Sequence, residues 1–242
     1  MVRTYTVLLL LVTFLGCKDR EQVTPQNTPF TVVKETAQSP LIVILGSSTA
    51  FGTGASDYKH AWAGLFSAYL NKGKVINLAR GGYTTFHILP EDDARPSNRP
   101  ASDTARSITA ALRRHPSVLV ISMTTNDIAN GYSVDEVMEN LRKVRAIALA
   151  NGVKRVIITT SMPRKLNAVA TSRWLQQRDL TLATYPGEAV NFFDPLSTNT
   201  SLFRDDLTVD GIHPNDTGHQ LLFDQIVKVY DPQVIDVLDE DR

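Results

Sequence analysis

The stretch that most constrains this chain is Leu41 to Ser56, LIVILGSSTAFGTGAS. Four branched apolar residues and Leu45 run without a break into Gly46-Ser47-Ser48-Thr49. An apolar run of this kind, closed by glycine, reads as a strand buried on both faces, so layers must cover it above and below. The small residues that follow force a sharp turn. That turn holds the Ser48 hydroxyl at the C-terminal edge of a sheet, where open α/β sheets place their sites.

Four more strands follow the same logic. Lys74 to Leu78 runs into Ala79-Arg80-Gly81-Gly82, and Val118 to Met123 runs into Thr124-Thr125-Asn126-Asp127. Val153 to Thr160 is a fourth strand and Ala189 to Phe193 a fifth. Helical spacing fills the intervals. Asp57 to Asn71 presents Tyr58, Trp62, Leu65 and Phe66, with Trp62 and Phe66 assigned to the core. Ser102 to His115 turns Ala105, Ile108, Ala111 and Leu112 inward and stops at Pro116. Ser133 and Glu136 form a capping box for a helix reaching Ala150, closed by Asn151-Gly152. Thr171 to Thr184 is helical, and Asn215 or Asp216 caps a final helix. The alternation predicts a three-layer α/β/α domain with a mostly parallel five-stranded sheet in flavodoxin-like order. Tyr83 to Ala101, rich in proline and charge, has no periodicity and reads as functional or mobile.

The 242 residues hold 25 acidic and 25 basic side chains, a balance that does not suit a nucleic-acid surface. The single cysteine, Cys17, excludes an intramolecular disulfide and a cysteine-based metal site. The histidines lack ligand spacing, and Gly46 to Gly54 has the wrong register for a nucleotide loop, so neither metal nor cofactor is expected. Met1 to Gly16 carries Arg3 and an apolar run from Val7 to Leu15, too short to span a membrane and suited to a signal peptide. Its ending, FLGC, resembles a bacterial lipobox, which implies lipidation at Cys17 and a membrane-anchored location in the cell envelope. On this reading residues 1–17 are the signal peptide, 18–39 a polar tether, 40–230 the domain and 231–242 an acidic tail.

Three glycine- or hydroxyl-rich turns then share one sheet edge, and the chain offers an ester hydrolase's parts. Ser48 is the candidate nucleophile. In Asp210-Gly211-Ile212-His213, an Asp three residues before a His can fix the imidazole tautomer, leaving His213 to take the serine proton. Asn126 can aim its amide at a developing oxyanion, joined by the backbone N–H groups of Ser48 and Gly82. Asp127 is read as structural, satisfying nearby backbone N–H groups.

Together these four stretches resemble the SGNH (GDSL) hydrolase family. Gly46 to Thr49 matches its first block, Asn77 to Gly82 the second, Thr124 to Asp127 the third and Asp210 to His213 the last, in order. The resemblance covers about residues 40–229 and implies a serine esterase. Ser47 stands where the family has Asp, Thr124 where it has Gly, and Ala79 where many members carry another Gly. These departures mark a divergent branch. The exported location suits removal of small acyl groups, acetyl above all, from carbohydrate. A lysophospholipase or thioesterase of the same fold, and a non-catalytic glycan-binding protein on this scaffold, are the alternatives.

Overall fold

The computed structural model describes residues 39–70, 73–123 and 125–230. The expected signal peptide with Cys17, almost all of the tether, Thr124 and the acidic tail lie outside the described residues. Five strands, β1 (Leu41–Gly46), β2 (Lys74–Asn77), β3 (Val118–Ser122), β4 (Arg155–Thr159) and β5 (Ala189–Val190), pair in the order β2-β1-β3-β4-β5. Every pairing is parallel. The order reverses between β1 and β3, the position at which an open sheet leaves a crevice beyond its strand ends.

Helices α1 (Ser48–Phe51), α2 (Trp62–Tyr69), α3 (Ile108–Leu112), α4 (Thr125–Ala129), α5 (Val134–Ala150), α6 (Ala168–Thr184) and α7 (Asp216–Val229) complete the domain. Successive strand residues point to opposite faces, and the core divides accordingly. Val43, Leu45, Leu119 and Ile121 join Val137, Leu141 and Trp174 from α5 and α6. Ile42, Ile44, Val118 and Val120 join Trp62, Phe66, Leu222 and Ile226 from α2 and α7. Burial of each such side chain contributes roughly 1.5–3 kcal/mol. The expected three-layer parallel architecture is therefore the one observed. Trp62 and Phe66 are fully buried, edge-on to Phe192 at 5.6 Å and Tyr230 at 5.1 Å.

Several boundaries differ from expectation. The second helix starts at Trp62, not Asp57, because the Asp57 carboxylate accepts the N–H groups of Lys59 and His60 and holds a turn there. The third starts at Ile108: the Ser107 hydroxyl caps it through Ala110 N–H, and Ala105, expected inward, is exposed. The fifth strand stops at Val190, since the Phe192 N–H turns to the Thr160 hydroxyl at 2.9 Å. The proline-rich segment after Gly82 enters the core with its first half. Tyr83, Phe86, Ile88 and Leu89 are buried around a 3-10 turn at Thr85–Ile88.

Candidate active site

The strand-to-helix junction after β1 is tight. A Cβ on Gly46 would lie 2.3 Å from the Ala50 Cβ and 3.0 Å from that of Ala79, so only glycine lets α1 begin directly above the strand end. Ser47 N–H donates to the Ser122 carbonyl at 3.1 Å and ties the junction to β3. Ser48 is the first residue of α1, and its N–H therefore has no acceptor inside the helix.

Ser48 Oγ lies 3.0 Å from His213 Nε2, a residue 165 positions away. Thr208 Oγ1 and Val209 N–H donate to the His213 carbonyl at 2.7 and 3.0 Å and fix the turn that carries it. Gly54 lets the loop after α1 press on that turn: a Cβ there would meet the Pro214 carbonyl at 2.2 Å. Asp210 Oδ2 lies 2.7 Å from His213 Nδ1, and Oδ1 accepts the N–H groups of Ile212 and His213 at 2.9 and 2.7 Å. Burial pushes the Asp210 carboxyl up, but the bonds from the His213 ring and the two N–H groups outweigh it and hold the pKa below the ordinary value. An ionised Asp210 can only accept, so Nδ1 carries the proton of a neutral imidazole and the Nε2 lone pair faces Ser48.

Gly82 has φ +79°, a left-handed conformation that favours glycine, in a turn closed by Tyr83 N–H on the Arg80 carbonyl at 3.4 Å. Arg80 N–H in turn donates to the Gly46 carbonyl at 3.1 Å, so this turn stands beside the one that carries Ser48. Asn126, on α4, donates one amide N–H to the Tyr83 carbonyl at 2.9 Å, and the amide carries a second. Asp127 is fully buried and accepts from the Thr85 N–H at 3.0 and 3.1 Å and from the Thr85 hydroxyl at 2.5 Å. Burial pushes its carboxyl up to about 7 against the pull of those bonds. The structural reading of Asp127 is thus the observed one.

Two features near the site go beyond the sequence reading, in which His219 either packs or faces solvent. His219, fully buried on α7, accepts Trp62 N–H at Nδ1 and lies 3.2 Å from the Thr53 carbonyl at Nε2. Only the neutral Nε2–H tautomer satisfies both, and burial drives its pKa down to about 4. Its place one turn after the Asn215 cap was the available signal. Tyr83 stacks on His87 at 4.3 Å and donates its hydroxyl to Asp103, a pairing that no local spacing announces. Beside α1, a groove of about 520 Å³ is lined by Phe51, Thr53, Tyr58, Asn77, Ala79 and Arg106. A space of about 10 Å³, enough for about one water, lies among Ser47, Thr49, Ser122, Thr159 and Thr160. Among the described residues no group of three or more His, Cys, Asp or Glu side chains is arranged to hold a metal ion.

The family model for the GDSL-like Lipase/Acylhydrolase family matches residues 44–221. No curated protein is significantly similar to the chain. Among solved structures, a GDSL-like lipase from Bacteroides thetaiotaomicron is 18% identical, with 82% of this chain and 88% of that one covered and a TM-score of 0.58. A single-residue variant of an acetyl-xylooligosaccharide esterase from Geobacillus is 16% identical, with 81% and 96% covered and a TM-score of 0.59. A two-domain esterase active on acetylated mannans is 20% identical over 82% of this chain and 49% of its own, with a TM-score of 0.57.

Proposed function

The chain belongs to the GDSL-like lipase/acylhydrolase family, and within it we propose a serine esterase that removes small acyl groups, acetyl above all, from carbohydrate. The hydrogen-bonded chain from Asp210 through His213 to Ser48, at 2.7 and 3.0 Å, carries this reading. Ser48 Oγ attacks the ester carbonyl as His213 Nε2 takes its proton. The oxyanion of the tetrahedral intermediate accepts from Ser48 N–H, Gly82 N–H and the second N–H of the Asn126 amide. One such donor is worth roughly 2.7–4 kcal/mol in other enzymes. His213 then protonates the leaving alkoxide, the C–O bond breaks, and acyl-Ser48 remains. Water, deprotonated by the same imidazole, attacks the acyl group and releases the acid.

Hydrolysis of p-nitrophenyl acetate by wild type and Ser48→Ala tests the mechanism. A loss of at least about 10³-fold in kcat is expected; equal rates would overturn it and favour a non-catalytic glycan binder. The carbohydrate assignment draws support from the acetyl-glycan esterases that share the fold. It draws further support from the groove beside α1, where Phe51 and Tyr58 are 58% and 47% exposed and stand near Asn77 and Arg106. Acetylated xylo- and manno-oligosaccharides should be turned over faster than nitrophenyl esters of long acyl chains; the reverse order would point to a lysophospholipase or thioesterase.

The lipobox-like FLGC supports lipidation at Cys17 and anchoring in the bacterial envelope. Cys17→Ser should move the protein out of the membrane fraction and block processing. Unchanged fractionation would refute the anchor.

A further inference from the structure

We infer that Asp127 is a positioning residue: with Thr85 it clasps the turn carrying Gly82 to the helix carrying Asn126, and so sets the spacing of two oxyanion donors. The inference rests on the esterase reading above. Gly82 itself is not wedged in place, since among the described residues no atom beyond its chain neighbours lies within 4 Å of where its Cβ would be. What holds the turn from the α4 side is a pair of contacts on alternate residues. Asn126 Nδ2 donates to the Tyr83 carbonyl at 2.9 Å, and two residues further on both Thr85 donors reach the Asp127 carboxylate. Neighbouring residues of one helix thus grip the segment that begins at Gly82.

The grip is backed from behind. Asn140, on α5, donates its amide to Thr85 Oγ1 at 2.9 Å. That oxygen is then an acceptor towards Asn140, and its own proton is directed at Asp127. Asp127 is fully buried, so it can reach neither substrate nor solvent. A buried carboxylate is a costly way to stabilise a fold, because an apolar side chain of similar volume often does as well. Its return lies in direction: the Thr85 N–H and O–H converge on it, and the loop has one register against α4. Displacing a catalytic group by about 1 Å can cost on the order of 100-fold in rate.

The test follows kcat and KM separately for p-nitrophenyl acetate, with each preparation titrated to completion by a fluorophosphonate so that rates refer to active sites. Asp127→Asn and Thr85→Val should each lower kcat per site roughly 10- to 100-fold while KM stays within about twofold. Thr85→Ser, which keeps the hydroxyl, should restore kcat to within about threefold of wild type. The affinity for a boronic acid, a tetrahedral mimic, should fall in parallel with kcat. Wild-type kcat per site in both variants overturns the inference, as does a loss that Thr85→Ser shares with Thr85→Val. If Asp127→Asn fails to fold, the Thr85 pair decides. Ser48→Ala run alongside separates the two readings. Should it retain turnover, the esterase reading falls and the clasp with it; should it be inactive while Asp127→Asn and Thr85→Val match wild type, only the clasp falls.

Discussion

A serine hydroxyl is a weak nucleophile until its proton has somewhere to go. In the proposed mechanism that place is His213 Nε2, 3.0 Å from Ser48 Oγ, and Asp210, 2.7 Å from Nδ1, determines which ring nitrogen is free. Asp210→Asn leaves the turn bonds at Oδ1 in place but removes the acceptor-only character of the side chain. It should lower kcat on the order of 10²- to 10⁴-fold, measured on p-nitrophenyl acetate. The lower part of that span follows from the 45% exposure of the Asp210 side chain, because water can take up part of its role. Ser47, the most conspicuous departure from the family motif, is buried among hydroxyls and lines the small space with Thr49, Ser122, Thr159 and Thr160. The hydrogen-bonded chain through Ser48, His213 and Asp210 does not run through it.

Elements hold these residues through contacts that leave little tolerance. Gly46→Ala would drive a methyl group into Ala50 on α1, with only 2.3 Å between carbons. It should cost about 1–3 kcal/mol in a urea melt and lower kcat too, since Ser48 rides on the same helix. Two buried ionisable groups give the stability a compensated pH profile. Folded His219 stays neutral down to about 4, against an ordinary value of 6.5. Above 6.5 neither state binds the proton and its contribution is fully present. As the pH falls from 6.5 to about 4, the unfolded chain takes up a proton that the folded one refuses, at a cost of about 3 kcal/mol in all. Asp127 acts in the opposite sense. Its folded carboxyl is raised to about 7 from 3.8, so the native state gains stability as the pH falls between those values. Denaturant melts from pH 7 to 4.5 should therefore be nearly flat for wild type, fall on acidification in Asp127→Asn, and rise in His219→Gln. A wild-type profile shared by both variants would contradict this account.

Across the whole molecule, the sheet order β2-β1-β3-β4-β5 brings the ends of β1 and β3 together. The last turn before α7 returns to meet Ser48 across 165 positions. Residues 39–230 alone should fold and hydrolyse p-nitrophenyl acetate at the rate of the full chain, as the two core clusters lie within them; a slower or unfolded product would assign a role to the ends. Much of this was legible from spacing. Apolar runs such as Leu41 to Leu45, and the helix opened by Ser133 and Glu136, are local patterns whose period reports what must be buried. The candidate site residues Ser48, Gly82, Asn126, Asp210 and His213 stood in turns whose short motifs, taken in order, carried the family resemblance. What spacing could not report were the hydrogen bonds made by particular side chains, some local and some across the fold. Asp57 delays α2 by taking two N–H groups, Thr160 ends β5 by taking another, and Thr85 meets Asp127 across 42 positions. The neutral His219 and the Asn126 amide turned to the Tyr83 carbonyl belong to the same class. Periodicity encodes a face, whereas a hydrogen bond needs a partner placed to within a few tenths of an ångström, and only the packed layers supply that placement.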